Sequence, residues 1–301
     1  MAVLGVGLIG GSIGLAARRR LGAHVLGYDP DAQALARAVE IGAIDDPVPG
    51  VEESVREADY VFVATPVGTA MEVVSTALPA CGPRCVVSDV GSTKRRLARA
   101  ISDPRFVPGH PLAGAETSGV EGAREDLFDG AVWYLTPAAE DSAQALGRLT
   151  GLLEQLGASP AILPAEAHDR LMASVSHLPH VLANVLVSQA LRAAPMAVGS
   201  AQGIPAQGGL GANPSFRDAT RVAGANTRMW TDIYLSNSDL LAEALDETIR
   251  ELSGVRDALD AEDATALAAW NDAARAARER LSGPASAGQA ETPPAGTGEA
   301  S

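Results

Sequence analysis

Lysine is nearly missing from these 301 residues: Lys94 is the only one. Cysteine is almost as scarce, with Cys81 and Cys85 alone, and aromatic residues make up 4%. Two thiols four positions apart form neither a disulfide framework nor a complete zinc site, so both read as buried free thiols. Positive charge as a whole is short: 23 Lys and Arg face 37 Asp and Glu, a formal net charge of −14. That balance speaks against nucleic acid or an anionic membrane as partner. It leaves room for a small anionic substrate, because salt confines the global field to about 8 Å. Such a substrate requires a local cluster of Arg or His. No apolar run reads as long enough to span a bilayer. The opening Met-Ala-Val-Leu-Gly has neither the basic region nor the cleavage site of a signal peptide, so the expected location is the cytoplasm.

What is present is a 47% hydrophobic composition over a length that suffices for two cores. The first half alternates short apolar runs with helical stretches: Ala2–Gly5, His24–Asp29, Tyr60–Thr65 stopped by Pro66, and Cys85–Asp89 stopped by Gly91. Buried strands alternating with helices predict an α/β domain with a parallel sheet covered on both faces. After about Leu163 the pattern turns helical. Leu241, Leu245, Ile249, Leu252, Val255 and Leu259 form one apolar stripe, with Ser236 and Asn237 as N-cap candidates at its start. A further helix is expected over Ala264–Leu281. Between the helices, Ala193–Ser215 is rich in Gly, Ala and Pro and reads as a mobile loop. The expected organisation is an α/β domain over 1–163, an all-α domain over 164–282, and a disordered tail over 283–301.

Gly5-Val-Gly7-Leu8-Ile9-Gly10 fits G-x-G-x-x-G between a strand and a helix, and Asp29 follows Gly10 by nineteen residues at the end of the next strand. Gly5 permits the turn, Gly7 lets amides approach a pyrophosphate, and Gly10 allows close helix–strand packing. This context defines a dinucleotide site in a Rossmann-like, doubly wound parallel sheet. Asp29 accepts ribose hydroxyls and repels a 2′-phosphate, so NAD is expected over NADP. Its bland alternative is a surface turn residue before Pro30. Leu8, Ile9 and Thr65 complete the expected cofactor-binding set.

Four of the five histidines fall between 110 and 180: His110, His168, His177 and His180. His177 and His180 are placed to share a helix face, with Pro179 at an expected helix start. A zinc site would need two more ligands, so no metal is expected, and His168 reads equally as a structural histidine. His110 is expected on the loop after a strand at Arg105–Pro108, where a neutral imidazole accepts a proton. Ser92, on an earlier loop, is either a hydroxyl-binding residue or the N-cap of the helix after Lys94. Arg217, Arg221 and Arg228 are the local cations. Arg217 reads equally as an ion-pair partner of Asp218, and Trp230 as either a pocket wall or plain core.

Several motifs in fixed order resemble the prephenate and arogenate dehydrogenases. They are Gly5-Val-Gly-Leu-Ile-Gly-Gly-Ser12, Asp89-Val-Gly-Ser-Thr-Lys94, Gly109-His-Pro-Leu-Ala-Gly-Ala-Glu116, Leu127-Phe128 and Trp133-Tyr-Leu-Thr-Pro137. His168-Asp169, Ser176-His-Leu-Pro-His180 and Phe216-Arg-Asp-Ala-Thr-Arg-Val-Ala223 complete the set. The resemblance implies NAD-dependent oxidative decarboxylation of prephenate to 4-hydroxyphenylpyruvate in tyrosine biosynthesis, with arogenate as the alternative substrate. It implies His110 and Ser92 as the catalytic pair. Arg221 would bind a substrate carboxylate, His177, His180 and Trp230 would line the pocket, and the helical domain would form a homodimer. Two other classes stand against it. β-Hydroxyacid dehydrogenases use a lysine in the helical domain, which this sequence lacks. A dinucleotide-sensing regulator would not require Ser92, His110 and Arg221 together.

Overall fold

The computed structural model describes residues 1–114, 119–139, 141–197 and 213–282. The chain divides into one compact unit from Met1 to Ala244 and a second from Leu245 onward.

The first unit opens with β1 (Ala2–Leu4), α1 (Leu8–Leu21), β2 (Leu26–Tyr28), α2 (Ala32–Glu40), β3 (Asp46–Pro47) and α3 (Val51–Val55). There follow β4 (Tyr60–Val63), α4 (Val67–Ala80), β5 (Val86–Asp89) and α5 (Arg95–Ala100). The five strands are parallel in the order β3-β2-β1-β4-β5. Alternation along β1 divides the core: Val3 joins Ile13, Phe62 and Leu149 on one face, while Ala2 and Leu4 join Val61, Val74 and Val87 on the other. The strand order reverses between β1 and β4, and the crevice at their carboxyl ends is the switch point where such sheets bind ligands. This is the α/β architecture expected from the sequence.

A second sheet follows. It comprises β6 (Gly109–Pro111), β7 (Val132–Leu135) and β8 (Ser159–Ile162), with α6 (Ala143–Gln155) between the last two. β6 runs antiparallel to β7, and β8 runs parallel to it. Here the expected strand at Arg105–Pro108 needs correction. It contributes only a single bridge, Phe106 to Val87 of β5. Pro108 has no N–H to extend that ladder, and its carbonyl instead accepts the Thr136 N–H at 2.9 Å. The chain therefore changes sheets at Pro108, and His110 sits within a strand rather than on a loop after one.

From Ala165 on, the described regular structure is helical: α7 (Ala165–Met172), a π turn (Ala173–His177), α8 (Leu178–Ala197), α9 (Pro214–Thr220) and a 3₁₀ turn (Arg221–Gly224). α10 (Thr227–Ser236), α11 (Ser238–Asp260) and α12 (Ala264–Ser282) complete the chain. Pro179 lies in the first turn of α8, directly after the π turn. The helical run is continuous through it, and the wider π turn just upstream accommodates a residue that cannot donate. The run from Ala165 to Ala193 is also long and apolar enough, by length and composition, to cross a membrane. The sequence reading overlooked it because polar His177 and His180 interrupt the run. The expected loop over Ala193–Ser215 is helical at both ends, since α8 continues to Ala197 and α9 begins at Pro214. Residues 198–212 and the tail 283–301 lie outside the described residues. The stripe on α11 is buried at Leu241, whereas Ile249, Leu252 and Leu259 are more than half exposed.

Candidate active site

The dinucleotide loop is shaped by backbone contacts that only glycine allows. Gly5 has φ +97°, and a Cβ there would lie 2.6 Å from the Ala64 carbonyl oxygen; one on Gly10 would lie 1.9 Å from the Gly5 oxygen. Gly7 differs, because a Cβ there would meet nothing within 4 Å. It faces open space at the start of α1, with no side chain capping that end. The amides of the first turn, including Leu8 and Ile9, are thus left for an anion. Asp29, at the end of β2, accepts the Val6 N–H at 2.9 Å and the Asp31 N–H at 2.9 Å. It is tied to the loop, and each oxygen keeps a further lone pair. Thr65 follows β4 beside Gly5, and its buried hydroxyl oxygen has no partner among the described residues. An open glycine, uncapped amides, a carboxylate and an orphan hydroxyl fit NAD.

Three further side chains form a chain of hydrogen bonds. His110 Nδ1 lies 2.9 Å from His168 Nε2, and His168 Nδ1 lies 2.8 Å from Asp169 Oδ1. His168 and Asp169 are fully buried. Asp169 also accepts the Lys94 N–H at 2.7 Å and the Arg95 N–H at 3.0 Å, so it caps α5 from α7. Burial opposes the charge of Asp169, but His168 and those two amides hold its carboxyl below the usual range. Loss of water around His110, then His168, Lys94 and His177, pushes its pKa well below 6.5. The imidazole is neutral at physiological pH.

Lys94 is buried too. Its ammonium is bonded to Asp89 and donates to the Gly109 carbonyl at 2.6 Å, which fixes the start of β6 one residue before His110. Burial lowers its pKa, and Asp89 pulls it back. Ser92 is half-buried on the loop after β5, and its hydroxyl has no partner among the described residues. It is not the helix cap, a role that Asp169 takes.

The residues expected to line the pocket meet at Trp230 of α10. His180 stacks on Trp230 with centroids 3.7 Å apart and planes 8° from parallel, and His177 meets the same ring edge-on at 6.2 Å. His180 Nδ1 is hydrogen-bonded to the Tyr234 hydroxyl. Both Nε2 atoms are buried without a partner among the described residues. Burial pushes both imidazoles down, His177 to about 4. α10 packs on α4, the helix that begins just after Thr65. Arg221 opens the 3₁₀ turn that packs on α8 and is exposed. Arg217 pairs with Asp218 at 3.9 Å in solvent, the blander of its two expected roles. Asn237 does not cap α11 with its side chain as expected. Its amide turns inward, donating to the Asp169 carbonyl at 2.8 Å and accepting from Arg95 at 3.0 Å. The sequence reading missed the roles of Asp169, Lys94, Tyr234 and Asn237; a buried carboxylate beside a histidine was the one available signal. Glu116 lies outside the described residues.

A glycine loop with an acidic residue at the next strand end, together with a neutral, half-buried histidine, defines an NAD-dependent dehydrogenase. Comparison with known proteins narrows the class. Residues 13–161 match the family model for the prephenate dehydrogenase nucleotide-binding domain, and residues 164–272 match that for the prephenate dehydrogenase dimerization domain. The chain belongs to the prephenate dehydrogenase family. It is 36% identical over 288 residues to the prephenate dehydrogenase of Bacillus subtilis, covering 92% of this chain and 74% of that one. It is 34% identical to the cyclohexadienyl dehydrogenase of Zymomonas mobilis, covering 87% and 89%. Among solved structures, prephenate dehydrogenase from A. aeolicus in complex with hydroxyphenyl propionate and NAD+ superposes with a TM-score of 0.82 at 28% identity, covering 93% and 97%. An arogenate dehydrogenase from Synechocystis gives 0.75 at 26%, covering 93% and 99%.

Proposed function

We propose that this chain oxidises prephenate with NAD and releases carbon dioxide, giving 4-hydroxyphenylpyruvate, the 2-oxo acid of tyrosine, in tyrosine biosynthesis. The observation that carries this reading is a neutral His110, hydrogen-bonded to His168 through Nδ1, in a chain that also carries an open dinucleotide cradle. When bound, NAD accepts the hydride. His110 Nε2 takes up the proton of the ring hydroxyl as hydride leaves the carbinol carbon, and returns it to the phenol oxygen. The bond to the ring carboxylate breaks, and its electron pair completes the aromatic ring. Prephenate dianion and NAD+ thus become 4-hydroxyphenylpyruvate anion, carbon dioxide and NADH with no net proton.

The Ser92 hydroxyl bonds the substrate hydroxyl. Arg221 pairs with a substrate carboxylate through its planar fork. Trp230, His177 and His180 wall the pocket, with the two unpartnered Nε2 atoms as its polar points. Gly5, Gly7, Leu8, Ile9 and Gly10 cradle the pyrophosphate, Asp29 holds the ribose, and Thr65 offers its hydroxyl. We assign residues 1–163 to nucleotide binding and 164–282 to the substrate and to a homodimer. The family description of the second region and exposed apolar residues such as Leu191 and Leu235 support that dimer. The cytoplasm is its place of work.

Arogenate, with an amino group on the side chain, is the second reading, favoured by the likeness to the Synechocystis enzyme. The test is NADH absorbance with each substrate. Prephenate with NAD is expected to give turnover. Turnover with arogenate alone selects the second reading, and turnover with neither overturns both.

A further inference from the structure

We propose that His168 and Asp169 are positioning residues that set the tautomer of His110, an inference that rests on the role of His110 as the base. A carboxylate only accepts, so the His168 nitrogen 2.8 Å from Asp169 must carry its proton on Nδ1. A neutral His168 then has a bare Nε2, which accepts. The His110 nitrogen 2.9 Å away must therefore be Nδ1–H. That leaves the lone pair of His110 on Nε2, the face a base needs. Two hydrogen bonds, neither touching substrate, thus decide which nitrogen of His110 takes the proton.

Asp169 suits this task because it does not turn. Its carboxylate is held by the Lys94 and Arg95 amides, by the Arg95 Nε at 3.4 Å and by His168, while Asn237 holds its carbonyl. The groups facing the histidine pair are Lys94 and Arg95 from the start of α5, Asp89 from β5, His177 from the π turn and Tyr134 from β7. The Tyr134 ring meets His168 edge-on at 5.6 Å. Lys94 and His177 work against a positive charge on His110.

The chain has five histidines, few enough for ring-nitrogen NMR on protein labelled at histidine. At neutral pH the His110 ring, assigned by loss of its signals in His110→Asn, is expected in the Nδ1–H form. It should move to a mixture in His168→Leu. An Nε2–H ring, or one unchanged in His168→Leu, overturns the proposal. This readout needs no substrate, so it stands apart from failure of the functional reading. In turnover, His168→Leu should lower kcat about ten- to a hundredfold, the scale on which outer partners of a working imidazole act. The KM for NAD should be unmoved. His168→Gln, whose amide oxygen still accepts from His110, should recover most of the loss. Equal losses in two variants that melt at the wild-type temperature would mean that His168 only fills space.

Discussion

Lowering the pH from 7.5 to 4.5 should weaken the folded protein before its carboxylates take part. His177 is fully buried at the end of the π turn; its Nδ1 accepts from the Asn237 amide at 3.3 Å, and its Nε2 has no partner among the described residues. Burial holds its pKa at about 4, against an ordinary 6.5, with Asp169 pulling the other way and losing. A histidine depressed in the fold binds its proton first in the unfolded chain. Its contribution is therefore fully present above pH 6.5 and declines as pH falls toward 4. One extra proton on the unfolded side removes about 1.4 kcal/mol per pH unit, or about 3 kcal/mol across the window. His110, shifted in the same direction, adds to the slope. Asp45, Asp103 and Asp169 are held below the usual carboxylate range and Asp239 lies at about 2, so their contributions are lost only below about pH 5, where unfolded carboxylates begin to bind protons, and the slope above that pH belongs to the histidines. Urea unfolding at pH 7.5, 6.5, 5.5 and 4.5 measures the slope, and His177→Gln should flatten it by one proton. A wild-type stability that is level over that range, or a variant with the wild-type slope, refutes the reasoning.

His110→Asn should reduce kcat by about 10² to 10⁴, the usual worth of a positioned base, while the Kd for NAD hardly moves. Near-normal turnover would remove His110 from the chemistry. Asp29→Ser should shift the ratio of kcat/KM values toward NADP, and a wild-type preference for NADP would contradict the ribose assignment. Arg221→Ala should raise the KM for prephenate about ten- to a hundredfold with kcat retained, and Arg221→Lys should recover part of it. If neither constant changes, the carboxylate lies on Arg217 or Arg228.

The parts legible in the sequence are those whose partners are close along the chain. The glycine loop and Asp29 belong to one contiguous β-α-β unit, and the Val6–Asp29 bond spans only 23 residues. Four of the five strands of the large sheet were readable as apolar runs because they are largely buried; β3, two exposed residues at the sheet edge, carries no such run. The site on the substrate side is built from distant pieces. His110 meets His168 across 58 positions, and Asp169 caps α5 from 75 positions away, so no local pattern marks either pairing. Propensity misled at two places for the same reason. Ser92 and Asn237 are good caps by residue type, yet a buried carboxylate caps α5 and the Asn237 amide is drawn inward by Asp169 and Arg95. At Pro108 the missing N–H was visible, but the edge that the chain would join next was not.

The central claim is that oxidation and decarboxylation occur together at one site. Purified protein incubated with NAD and prephenate labelled in the ring carboxylate measures it directly, by counting NADH, labelled carbon dioxide and 4-hydroxyphenylpyruvate in the same sample. The account predicts equal amounts of all three, with the equality kept at the reduced rate of His110→Asn. Carbon dioxide released without NADH, or NADH formed with the label retained in the product, would contradict it.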